Sequence, residues 1–203
     1  MDPASIQITA EPIDGSRCKF VVSQPVHAAG VRRFASAAEA EGSPLAAAIF
    51  AIPGAEVGEV IVSGNLVTVV KRGVTPWTAV GKSVGQAIRA ALASGAPPLA
   101  PKAEAPVATA DDDALYEQVA QLFDEQVNPM VARHGGRVEL IDVQDAVVML
   151  RMMGGCQGCG MADVTLRQGI EAMLQQHVPA VKGIVDITDH TAGTNPYFAA
   201  AKK

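Results

Sequence analysis

Aromatic residues and cysteines are scarce in this 203-residue sequence, which has five Phe, two Tyr, one Trp and three Cys. Three cysteines are too few, and one too many, to staple a secreted fold, so they are read as reduced thiols with a chemical or packing role. The few aromatics stand apart from any basic stripe, and Lys and Arg are scattered, which leaves no track for a nucleic acid. No run of about 18 apolar residues occurs, and MDPASIQITAEP has neither the basic start nor the apolar stretch of a secretory signal. The expectation is a cytoplasmic protein with no nucleic-acid or membrane partner. No Ser/His/Asp set, no paired carboxylates and no Gly-rich loop followed by Lys-Ser/Thr is found, so hydrolytic and nucleotide chemistry have no footing. Net charge is −5, nearly all of it carried beyond residue 110.

What is present is organised in two halves. Residues 94–110, SGAPPLAPKAEAPVATA, have no aromatic and no sustained periodicity, and such a tract is expected to be extended. The predicted organisation is a domain over residues 1–95, a Pro/Ala-rich linker over 96–110 and a second domain over 111–203. The fold class is α+β: two small α+β domains joined by that linker.

In the first half, alternating residues 5–10 and 19–22 predict two strands, and Ser43-Pro44 predict the N-cap and first position of a helix that ends at Pro53-Gly54. Residues 57–62 and 66–71 predict a hairpin about Ser63-Gly64-Asn65. Apolar residues at helical spacing predict a helix over 77–93, giving the order β-β-α-β-β-α. In the second half, Asp111, Asp112 and Asp113 precede a helical stripe over 113–134 that ends at Gly135-Gly136. A hairpin over 138–152 turns at Gln144-Asp145, and a helix over 162–177 and a strand over 181–188 follow.

Between that hairpin and that helix runs Met152-Met153-Gly154-Gly155-Cys156-Gln157-Gly158-Cys159-Gly160-Met161. Glycines keep this backbone permissive, a two-residue gap lets both sulfurs face one inorganic centre, and the amides of a Gly-rich turn and helix start favour thiolates. The spacing itself is shared by thioredoxin-like oxidoreductases, half zinc sites and cluster loops. Context separates them. An oxidoreductase expects a β-α-β setting, whereas the strand before this loop reads as the second arm of a hairpin. Zinc needs a further ligand pair, and His134, His177 and His190 form none.

A cysteine-held iron–sulfur cluster takes four thiolates and the loop offers two. Cys18 lies in the other domain and still leaves the set one short, so it is read as a packed residue. A two-fold axis supplies the count by bringing Cys156 and Cys159 of two chains to one cluster, and this homodimer is the expectation. His134 and His177 are read as helix-end residues. The methionines near the loop are read as fillers of apolar gaps, here at a dimer contact, and Arg151 and Arg167 as solvated surface residues rather than partners of the cluster charge.

Three separated segments, GGCQGCGMADVTLRQGIEAML, VNPMVARHGGRVELIDV and DHTAGTNPYF, resemble the C-terminal domain of the NifU/Nfu family of iron–sulfur cluster scaffold and carrier proteins. The first half resembles the family's N-terminal domain through Lys19-Phe20, the SPLA run at 43–46, Ile52-Pro53-Gly54 and Val67-Thr68-Val69. It departs from the family at Pro12-Ile13-Asp14-Gly15, where an Asn-Pro-Asn-type segment is usual. The resemblance implies that Cys156 and Cys159 ligate a [4Fe–4S] cluster shared between two subunits. It further implies delivery of that cluster to apo iron–sulfur proteins, loading by upstream assembly machinery, and an assembly factor rather than an enzyme.

Overall fold

A computed structural model describes residues 5–100, 110–133, 135–156 and 160–189. The chain divides into two compact units, Met1–Ala103 and Glu104–Lys203.

The first unit contains β1 (Ile8–Pro12), β2 (Arg17–Val22), β3 (His27–Phe34), α1 (Pro44–Phe50), β4 (Val57–Gly64), β5 (Leu66–Lys71) and α2 (Trp77–Ala93). Its antiparallel sheet has the order β1-β2-β5-β4-β3. Alternation along the strands sends Cys18, Phe20 and Val22, Val60 and Val62, and Val67 and Val69 into one core with Leu45 and Ile49 of α1 and Val84 and Ile88 of α2. Each such large side chain taken from water contributes about 1.5–3 kcal/mol.

β3 was not legible in the sequence. Its segment HAAGVRRF lacks alternation because the ladder to β4 slips between His27 and Val31, where Gly30 takes φ 71°. Ser43 stands at the N-cap of α1 yet makes no side-chain cap there. Its hydroxyl instead accepts the Ala100 N–H at 3.0 Å, while Leu45 N–H donates to the Pro98 carbonyl at 3.0 Å and Arg32 Nη1 to the Ala100 carbonyl at 2.9 Å. With Leu99 buried in the same core, the first residues of the Pro/Ala tract lie on α1 rather than running free. Unsatisfied amides at a helix start and one apolar side chain suffice to hold them.

The turn from β1 to β2 is built on Asp14. Its Oδ1 accepts the Ser16 N–H and hydroxyl and the Arg17 N–H, each at 2.8 Å, and its Oδ2 accepts Arg17 Nε at 2.7 Å. Burial alone would raise this carboxyl, but the bonds from Ser16 and Arg17 outweigh it and hold the pKa at about 2, below the ordinary 3.8. A depressed acid stabilises the fold fully above its unfolded value and ceases to do so as pH falls through the folded one. The thermal midpoint of the first unit is therefore expected to drop between pH 4 and pH 2, less steeply in Asp14→Asn. Midpoints of both proteins across that range check it.

The second unit contains α3 (Ala110–Leu122), a wide π-helical turn (Phe123–Val127), α4 (Asn128–Ala132), β6 (Gly136–Gln144), β7 (Val147–Gly154), α5 (Gly160–His177) and β8 (Gly183–Asp186). The one helix expected over 113–134 thus starts earlier and is interrupted. Pro129 has no N–H and its ring crowds the carbonyl four residues back, so the turn before it widens. β6 and β7 pair antiparallel, and β7 and β8 pair parallel across the α5 crossover. Val119, Phe123, Val127, Val138, Val148, Leu150, Met152, Ile170, Leu174 and Ile184 form its core.

The β6–β7 turn falls at Asp145-Ala146, one residue later than expected, with φ of 52° and 63°. A two-residue hairpin needs such angles, although Ala adopts them at a cost. Asp112, in the first turn of α3, offsets that cost by accepting the Asp145 N–H at 3.1 Å and the Ala146 N–H at 2.9 Å. The Asp run that opens the helix therefore holds one residue that fixes the hairpin.

Candidate metal centre

The hairpin ladder ends with Gly136 opposite Gly154, and beyond it the Gly155 N–H donates to the Gly135 carbonyl at 2.9 Å. Two glycine pairs thus face each other at the strand ends. Gly154 has φ 64°, and a Cβ there would lie 2.7 Å from the Gly135 carbonyl oxygen, so only glycine fits. Cys156 follows directly and is 3% exposed, packed in the core that holds Val138 and Met152. A Cβ on Gly136 would stand 3.1 Å from Cys156 Cβ and 3.2 Å from its N, and well inside contact distance of its Sγ. The thiol therefore occupies the space that a side chain at 136 would fill. Gly136 was read from the sequence only as a helix stop. The signal for its second role, a glycine paired across the hairpin with Gly154, needs the strand register to be seen.

Cys159 lies outside the described residues, as do His134 and His190. His177 is exposed in the last turn of α5. Among the described residues no group of three or more His, Cys, Asp or Glu gathers to hold a metal ion. Cys18 is fully buried in the core of the first unit, its Sγ donating to the Lys19 carbonyl at 3.5 Å. Burial pushes this thiol up to about 12, so it stays neutral and inert, as a packed residue should.

Met149 and Met152 fill the interior of the second unit, whereas Met153 on β7 is 44% exposed. Arg151 is exposed, 3.8 Å from Glu139 across the strands, as expected of a solvated pair. Arg167 departs from expectation: it lies on the buried stripe of α5 with Ile170 and Leu174, and among the described residues its Nε has no hydrogen-bond acceptor. Helical spacing turns it inward although its side chain is charged.

The loop also has a setting that the hairpin reading did not foresee. β7 is both the second arm of the hairpin and the first strand of a β-α-β crossover, because β8 returns parallel to it. A cleft of about 490 Å³, lined by Asp111, Asp112, Leu115, Gln118, Asp145 and Lys182 among others, sits by the Asp145-Ala146 turn. That turn is at the other end of β7 from the thiol loop, roughly 25 Å away at a strand's rise per residue. Among the described residues no helix is long and apolar enough to cross a membrane.

A five-stranded α+β unit followed by an α-β-β-α-β unit with a cysteine loop between strand and helix defines a two-domain thiol-loop protein. Residues 6–95 match the family described as scaffold protein Nfu/NifU N terminal, and residues 119–185 match the NifU-like domain. The chain joins both domains in that order and belongs to the NifU/Nfu family. A protein named Fe/S biogenesis protein NfuA from Xanthomonas euvesicatoria pv. vesicatoria (strain 85-10) is 49% identical over 98 residues, 48% of this chain and 48% of the relative. A protein of the same name from Stutzerimonas stutzeri (strain A1501) is 44% identical over 100 residues, 49% of this chain and 51% of the relative. The chain spans about half the length of the curated relatives it matches. The solution structure of a NifU-like protein from Saccharomyces cerevisiae is 17% identical, covers 44% of this chain and 79% of its own, and has a TM-score of 0.38, too slight a likeness to carry weight.

Proposed function

We propose that this chain carries a labile iron–sulfur cluster on Cys156 and Cys159 and delivers it to apo iron–sulfur proteins. The observation that carries this reading is the Gly-walled cysteine loop at a strand-to-helix junction, in a domain that matches the NifU-like family. The relatives bear the name Fe/S biogenesis protein, which agrees with it. Two thiolates per chain fall short of the four that a cysteine-held cluster takes, so a second copy supplies the others and the cargo is a [4Fe–4S] cluster on a two-fold axis. The second unit forms this homodimer, and half-exposed Met153, beside the loop in sequence, is apolar surface suited to it.

Transfer is ligand exchange: each acceptor thiolate displaces one carrier thiolate, with no change in oxidation state. An upstream assembly machine loads the cluster, and the protein is a carrier rather than an enzyme. The first unit recognises acceptors while the second holds the cluster.

Reconstitution with iron and sulfide under anaerobic conditions is the test. About two irons and two sulfides per chain, in a dimer, are expected of a shared four-iron cluster. A colourless monomer after reconstitution would overturn the reading.

A second reading gains from the β-α-β crossover, the setting in which a thiol–disulfide oxidoreductase places its cysteine pair. There Cys156 attacks and Cys159 resolves, and the metal-free monomer turns over a model disulfide. Absence of that turnover removes it.

A further inference from the structure

We infer that Gly136 is a positioning residue for Cys156: by having no side chain it forms a socket that holds the thiol, which swings out to take metal. The swing to metal rests on the carrier reading; the socket does not.

Backbone conformation does not require glycine at 136, because its φ lies outside the left-handed region that Gly135 and Gly154 occupy. Its requirement comes from one neighbour. The three atoms nearest to a Cβ built there all belong to Cys156: its Sγ, Cβ and N. By contrast Gly169 and Gly183, in the same unit, have open space where their side chains would be. The loop is held beside the socket by the Gly155 N–H to Gly135 carbonyl bond.

Exposure of 3% leaves the Cys156 sulfur unable to reach a centre shared with another chain. Rotation about its Cα–Cβ bond is the smallest motion that presents it, and a single torsion between staggered wells is fast. The socket also has a protective consequence. Thiolate oxidation and alkylation need access, so a thiol in the socket is shielded from both. A side chain at 136 evicts the sulfur, the flexible part of the contact, whereas the Cys156 Cβ and N yield by only a few tenths of an ångström.

The experiment uses the full-length, metal-free, reduced chain. Iodoacetamide pulses at fixed pH are followed by peptide mass spectrometry, which reads Cys156 and Cys18 separately. Gly136→Ala is expected to raise the alkylation rate of Cys156 by about tenfold or more, since reaction no longer waits on a local opening. Cys18 stays unmodified as the internal reference. Thermal stability is measured in parallel for Gly136→Ala alone and in a Cys156→Ala background. With the sulfur gone, most of the destabilisation by Gly136→Ala is expected to vanish. An unchanged Cys156 rate, or an equal stability loss in both backgrounds, would show Gly136 to be merely structural and overturn the inference. Iron uptake separates this from the carrier reading. Faster alkylation with no uptake by either protein keeps the socket and removes the carrier; uptake by both with an unchanged rate does the reverse.

Discussion

Cys156→Ala is expected to take up no iron above background in anaerobic reconstitution and to elute as the wild-type apo-protein does, and Cys159→Ala to behave alike. Each substitution leaves two thiolates per dimer, and a cluster held by cysteine needs four. The fold survives the change at 156, because trading a buried thiol for a methyl removes one small atom, at a cost of about 1 kcal/mol. Loss of iron in a chain with near wild-type thermal stability is then chemical rather than structural. Cys18→Ala supplies the contrast: its thiol is buried in the other unit, held neutral with a pKa pushed up to about 12, and its removal is expected to leave iron content unchanged. Iron and sulfide assays with circular dichroism on all three variants check this. Full iron content in Cys156→Ala, or its loss in Cys18→Ala, would refute the proposed ligand set.

Gly154→Ala is expected to have the largest effect on stability of any glycine substitution in the second unit. Two penalties coincide there. The left-handed φ of 64° disfavours a side chain, and the new Cβ would lie 2.7 Å from the Gly135 carbonyl oxygen, a backbone atom that cannot turn aside. Opening that contact also lengthens the Gly155 N–H to Gly135 carbonyl bond that closes the loop. Together these amount to about 3 kcal/mol, in the range of strain plus a lost hydrogen bond. Gly169→Ala is the opposing control. It lies inside α5 at an ordinary helical φ with open space around it, and is expected to stabilise the unit by about 0.5–1 kcal/mol. Denaturant midpoints of the two variants test the pair, and equal midpoints would remove the argument.

Much of the local structure was legible because its causes are local. The helix over 77–93 shows a stripe of apolar residues at helical spacing and coincides with α2, and Gly64-Asn65 mark the tight turn between β4 and β5. The place of the thiol loop, between β7 and α5, was legible for the same reason: glycine content and flanking periodicity are read within ten residues. Where a long-range contact overrode the local preference, the reading shifted. Ser43 has the chemistry of an N-cap, yet its hydroxyl serves Ala100, 57 residues away. β3 is a strand because β4 offers a partner, not because HAAGVRRF alternates.

The sequence alone determined the two-domain division, the α+β class and the pair of thiols, since these depend on composition and on neighbours along the chain. Tertiary structure decided what depends on residues far apart in sequence. It set the parallel return of β8 onto β7, which makes the thiol loop part of a β-α-β crossover as well as a hairpin end. It set Asp112 under the strained turn at Asp145-Ala146. And it set Gly136 against Cys156, twenty residues on, where strand register brings an absent side chain opposite a thiol that needs its space.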